Sequence, residues 1–173
     1  LDDVLKFMKK DHDLAQAYQA IDRLHGAGLI YDAHIMTGVA GKGRGMENAE
    51  ALAQFLNRTN PAHVVNFSMF LHKEVPLYQD IRQGTFVPAD ELETIREEYH
   101  LIERIAPEKA GANILYDGFH DFIHVRVRGH LPGDKEKMLA KLNGIIQEYE
   151  GKEPVYSFVQ GECPDLEYCD DGK

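Results

Sequence analysis

Four glycines fall within eight residues, Gly38-Val39-Ala40-Gly41-Lys42-Gly43-Arg44-Gly45, between an apolar run and a helical repeat. The run before them, Leu29-Ile30-Tyr31-Asp32-Ala33-His34-Ile35-Met36, reads as a strand. Residues 47–58 follow as a helix with Ala49, Leu52, Ala53 and Leu56 on one face, stopped at Asn60-Pro61. Residues 63–71, His-Val-Val-Asn-Phe-Ser-Met-Phe-Leu, read as a second strand. A strand, helix and strand joined by a crossover of about 25 residues form a parallel pair. This unit excludes an all-helical or all-antiparallel chain. Two parallel strands are not stable alone, so the expected fold is α/β, with these strands part of a larger sheet or barrel.

The flanks supply helices. Val4, Leu5, Met8, Leu14, Ala17, Tyr18, Ile21 and Leu24 predict helical structure over residues 2–25, with Asp13 as a second N-cap and Gly26 and Gly28 as the stop. Residues 72–89, with Pro76, Gly84 and Pro88, read as an irregular loop. Asp90 opens a helix whose core face is Leu92, Ile95, Tyr99 and Ile102. Residues 122–128 alternate Ile123, Val125 and Val127 with His124, Arg126 and Arg128, as a half-buried extended segment does. Asp134 caps a last helix with Met138, Leu139, Leu142, Ile145 and Ile146 inward. One domain over residues 1–150 and an acidic tail over 151–173 are expected.

Charge narrows the partners. The 173-residue chain has 29 acidic and 19 basic side chains, a formal net charge of −10. That balance argues against a nucleic-acid backbone and an anionic membrane surface as partners. No apolar stretch is long enough to span a bilayer, and Leu1-Asp2-Asp3-Val4-Leu5 is no basic leader. The two cysteines, Cys163 and Cys169, are spaced C-x5-C, which is no zinc knuckle, and read as reduced thiols of a cytoplasmic protein. A chain that opens on a helix without a start Met reads as a fragment of something longer.

The glycine-rich turn lies after the carboxyl end of a strand, where ligands bind in parallel α/β folds. It matches neither nucleotide fingerprint: Gly43 follows Lys42 where Ser or Thr is needed, and Met46 stands where a third spaced glycine is needed. Asn66 and Ser68 project to one side of the second strand, either to partners in the core or to a ligand. His120, Asp121 and His124 could be metal ligands, although such a set needs further His and Asp ligands on helices and the neighbours Gly118, Phe119, Phe122 and Ile123 do not look helical. Lys42 and Arg44 read as solvated loop charges, and Glu91, Glu93, Glu97 and Glu98 as a solvent face. No Ser-His-Asp, Cys-His or paired-carboxylate set stands out.

Taken in order, several of these segments resemble radical S-adenosylmethionine (radical SAM) enzymes. Asp2-Asp3-Val4-Leu5-Lys6-Phe7-Met8-Lys9-Lys10 is similar to the segment after that family's E-S-G-S-D turn, and Leu24-His25-Gly26-Ala27-Gly28 to the L..AG helix end. Ile35-Met36-Thr37-Gly38-Val39-Ala40-Gly41 resembles the strand and G-x-x-G turn that follow. Pro76-Leu77-Tyr78, Ile81, Gly84 and Phe86 resemble a pL...i..G.f segment, and Gly129-His130-Leu131-Pro132-Gly133-Asp134-Lys135 a G-x-LP-x-DK turn of the oxygen-independent coproporphyrinogen oxidase-like members. The resemblance runs from residue 2 to residue 146. Lys42-Gly43-Arg44-Gly45 departs from the family's usual turn ending.

The resemblance implies the carboxyl-side half of a TIM-like partial (β/α) barrel. It implies S-adenosylmethionine as cofactor, with a [4Fe–4S] cluster that cleaves it reductively to a 5′-deoxyadenosyl radical. The C-x3-C-x2-C cluster ligands are absent from this sequence and would lie upstream, so the chain alone would be inactive. By the resemblance, Ile35, Gly38, Val39 and Gly41, with Asn66 and Ser68, line the adenosine end of the cofactor site. The expected partners are a small-molecule substrate and, through uncovered barrel edges, a second copy. Two other readings are an independent α/β module binding an adenosine-type ligand without catalysis, and a metal hydrolase built on His120, Asp121 and His124.

Overall fold

The computed structural model describes residues 1–159. Its helices and strands run in the order α1 (Asp2–Phe7), α2 (Leu14–Gly26), β1 (Asp32–Thr37), α3 (Gly45–Thr59), β2 (His63–Ser68), α4 (Leu77–Arg82), α5 (Glu91–Arg104), β3 (Ile114–His120), β4 (Val125–Leu131) and α6 (Lys135–Tyr149). The four strands form one open sheet in the order β1-β2-β3-β4. β1, β2 and β3 are parallel, and β4 returns antiparallel beside β3. The α/β class and the parallel β1–α3–β2 unit are as the sequence expects. No helix among the described residues is long and apolar enough to cross a membrane.

Three elements depart from expectation, the first being the extended segment expected over 122–128: Asp121–Ile123 form one 3-10 turn, His124 is left-handed, and the strand runs over Val125–Leu131. β3 is a third parallel strand where no strand is legible, because Ile114-Leu-Tyr-Asp-Gly-Phe-His carries Asp117 and Gly118 in mid-strand, both poor strand formers. The expected loop over 72–89 contains α4, one short helix opened by Pro76, a residue whose fixed φ suits a helix start. The capping expectations hold for two helices. The Asp13 side chain accepts the Gln16 N–H in a reciprocal capping box, and Asp90 accepts the Glu93 N–H. Asp134 precedes α6, but its carboxylate accepts the His130 N–H instead.

Strand alternation gives the sheet two unlike faces. Ala33, Val64, Ile114, Tyr116, Val127 and Leu131 pack under a layer built by α3, α5 and α6. Leu56, Ile95, Leu101, Ile102 and Leu142 complete that core and are fully buried. The opposite face has no helix layer among the described residues. Its side chains form three rungs across the four strands: Met36, Phe67, Phe119, Arg126; then His34, Val65, Asp117, Arg128; then Asp32, His63, Leu115, His130. A smaller cluster of Met69, Leu71, Tyr78, Ile81, Phe86 and Phe158 caps the carboxyl edge of the sheet. Residues 155–159 belong to this cap. The Val155 carbonyl accepts the Glu91 N–H, and Ser157 and Val159 bond to Leu71. Part of the expected acidic tail is therefore built into the domain; Cys163 and Cys169 lie outside the described residues.

Candidate functional site

The carboxyl edge of the parallel strands brings together the turn after β1, the end of β2, the end of β3 and the first two turns of α5. What meets there is a buried polar network. Glu91, Glu97 and Glu98 are about 1% exposed or less, so the acidic run of α5 is no solvent face. Only Glu93 of that run is partly exposed, and it accepts the Gly43 N–H. The reason is the pattern Glu91, Thr94, Ile95, Glu98, Leu101, Ile102, which forms one helical stripe turned toward the sheet.

His120, fully buried at the end of β3, sits between two of these carboxyls. Its Nδ1 lies 3.0 Å from Glu91 Oε2 and its Nε2 3.0 Å from Glu98 Oε2. Burial alone would lower the imidazole pKa, but the two carboxylates outweigh it and hold the group up at about 9. An imidazolium donates from both nitrogens, one to each glutamate. The other carboxylate oxygens are also engaged. Glu98 Oε1 accepts from Tyr116 Oη at 2.9 Å and Asn66 Nδ2 at 3.1 Å. Glu91 accepts from Ser68 Oγ at 3.2 Å, Thr94 Oγ1 at 3.2 Å and Ser157 Oγ. Burial pushes the Glu91 carboxyl up, yet the bonds from His120, Ser157 and Ser68 more than reverse this and leave it below its usual range.

Glu97 ties the network to the glycine-rich turn. Its Oε2 accepts the Gly38 N–H at 2.9 Å and its Oε1 the Asn48 amide at 2.6 Å. Burial dominates here and pushes the carboxyl up to about 7. The glycines make room for these contacts. A Cβ at Gly38, where φ is +80°, would stand 2.8 Å from Thr94 Cγ2. A Cβ at Gly118 would stand 1.8 Å from Glu98 Oε1. Gly118 in mid-strand is thus the cavity that admits a carboxylate against the sheet.

The six residues expected at an adenosine site divide into two groups. The Ile35 side chain packs into the helix-side core, and Asn66 and Ser68 spend their donors on Glu98 and Glu91. All three face away from the open side of the sheet. Gly38, Val39 and Gly41 stay together in the turn. Gly38 and Gly41 donate within the protein, to Glu97 and to the Gly38 carbonyl, while the N–H groups of Val39 and Ala40 meet no acceptor among the described residues. Beside the turn, Ala40, Gly41, Lys42, Phe7 and Phe86 line a cleft of about 450 Å³. Arg44 is no free loop charge, since it pairs with Asp3 and Glu47 at 2.8 Å.

His120, Asp121 and His124 do not form a metal set. Both His120 nitrogens are engaged, Asp121 and His124 are exposed, and no group of three potential ligand side chains converges among the described residues. The sequence reading missed the clasp itself, Glu91–His120–Glu98, whose members lie 29 and 22 residues apart in sequence. No protein-family model, curated protein or solved structure matches this chain.

Proposed function

We propose that this chain is the carboxyl-side part of a radical SAM enzyme, an iron–sulfur oxidoreductase-like protein, and contributes one wall of its S-adenosylmethionine and substrate site. The observation that carries the reading is the incomplete sheet. β1 is a parallel strand paired on one side only, and one sheet face lacks a helix layer among the described residues. A TIM-like partial barrel has helices outside, a bare inner face and further parallel strands beyond such a border strand. The ordered sequence resemblance from residue 2 to residue 146 points the same way.

The residues fit the cofactor unevenly. Val39 and Ala40 offer backbone donors at the carboxyl edge, and Gly38 and Gly41 allow close approach, as an adenosine group would need. Nothing in the sequence offers three cluster cysteines, so a [4Fe–4S] cluster would be held outside this chain. The cofactor, when bound, would supply the radical that starts the reaction. This chain's part is to hold the adenosine end through Gly38, Val39 and Gly41 and to fix that turn through Glu97. Such chemistry suits a reducing, cytoplasmic compartment. Uncovered sheet edges would also favour self-association of the chain alone. The test is the coding sequence upstream of Leu1: the proposal requires C-x3-C-x2-C there, and its absence ends the proposal.

A second reading has its own support. The cleft between Phe7, Phe86 and Lys42 is large enough for a nucleoside and abuts the same turn, so an independent module could bind an adenosine-type ligand without catalysis. Phe7→Ala removing adenosine binding, with Val39 and Ala40 unaffected by the ligand, would favour it.

A further inference from the structure

The bare sheet face is not chemically uniform. Asp117, on its middle rung, is only 7% exposed at its side chain although no helix among the described residues covers it. Two arginines from β4 cover it instead. Arg126 takes both carboxylate oxygens, Nε to Oδ1 at 2.8 Å and Nη2 to Oδ2 at 2.6 Å, and lies 4.7 Å over the Phe119 ring. Phe119 in turn stacks on Phe67 at 5.3 Å. Arg126 thus gives Nε and Nη2 to Asp117, although its side chain stays half exposed. Arg128 makes no such bond: its one ion pair among the described residues is to Asp117 Oδ2 at 3.7 Å, beyond hydrogen-bond reach, and its side chain is 55% exposed. Two guanidiniums thus face one carboxylate, leaving a local positive charge on a chain of net charge −10. His34 shares the rung, and His63 on the rung below has an Nε2 that is buried without a partner.

We infer that this face binds a small molecule with an anionic group, a carboxylate or phosphate, held by Arg128 while its apolar body lies along the Phe67–Phe119 ridge. The inference rests on the proposal that this face lines the inside of an enzyme barrel, and it gives the substrate class for that site. Charge complementarity carries it. Arg126, locked between Asp117 and Phe119, fixes the neighbouring strand position, and Arg128 keeps an open fork of donors suited to a two-oxygen acceptor.

The test is an NMR titration of the isotope-labelled chain with phenyl phosphate, benzoate and uncharged benzyl alcohol. The readouts are the Arg128 Nε–Hε signal and the Val65 and Phe119 amides. The expected result is a saturable shift with one or both anions and none with benzyl alcohol. Stronger binding of phenyl phosphate assigns a phosphate, and of benzoate a carboxylate. Arg128→Gln weakens binding about tenfold and Arg128→Lys less, since a charge-assisted bond is lost in one and altered in the other. Shifts that persist in Arg128→Gln, that centre on Lys42, that appear equally with benzyl alcohol, or that never appear would overturn the inference. Because the adenosine turn is read by different amides, a failure here is distinguishable from a failure of the cofactor reading.

Discussion

The two faces of the sheet solve the same problem in opposite ways. Each holds carboxylates that burial would make costly. Under the helices, Glu91 and Glu98 share one buried imidazolium and also accept from the Tyr116, Ser68, Thr94 and Ser157 hydroxyls and the Asn66 amide N–H. On the bare face, Asp117 is held below its usual pKa chiefly by the bond from Arg126, whose guanidinium remains in contact with water. The first arrangement is closed: nothing from outside reaches it, so it serves to join α5, β2, β3 and the glycine-rich turn. The second is open and leaves donors to spare. Burial of the network therefore serves to join elements here, and the side whose charges stay in contact with water is the one proposed to meet a ligand.

Removing the buried imidazole should break this contrast most severely. His120→Leu leaves two carboxylates facing each other without a cation. The expected loss is about 3–5 kcal/mol, enough to unfold a marginal domain, read by urea denaturation. Gly118→Ala comes next, since its methyl must displace the Glu98 carboxylate; about 1–3 kcal/mol is expected, checked the same way.

The pH dependence sharpens the comparison. His120 is held up near 9 in the folded chain against 6.5 ordinarily. Its stabilisation is complete below about pH 6.5 and is lost as pH rises toward 9, by roughly 3 kcal/mol or less. Glu97, raised from 4.5 to about 7, works in the same direction: the folded state keeps its proton longer, so stability falls as pH rises across that window. Glu91 opposes both, its contribution being lost as pH falls through the acid range below 4.5. Urea midpoints should therefore fall from pH 6.5 to 9, and His120→Gln should flatten that slope. The smallest effect belongs to the bare face. Arg128→Gln should leave the urea midpoint unchanged, because no close bond is lost.

The sequence carried the β1–α3–β2 unit because each part announces itself: a glycine-rich turn after an apolar run, a helical stripe, and Asn60-Pro61 as a stop. It hid β3, whose Asp117 and Gly118 break the strand pattern for reasons lodged elsewhere, in Arg126 and in Glu98. It also hid the clasp. Three glutamates on one helix normally mean solvent, and only the distant His120 makes burial affordable. Thr94 and Ile95 between them were the available signal, since they continue the stripe that Glu91 and Glu98 share. Asn66 and Ser68 were legible as buried polar groups, but their partners on α5 were not.

The most direct measurement is an amide-resolved titration of the folded chain with S-adenosylmethionine. Saturable shifts are expected at Val39, Ala40 and Gly41, with the amides of Ile114 and Tyr116 inside the closed face unmoved. No shift at the turn, or shifts centred on the buried clasp instead, would contradict the proposed cofactor site.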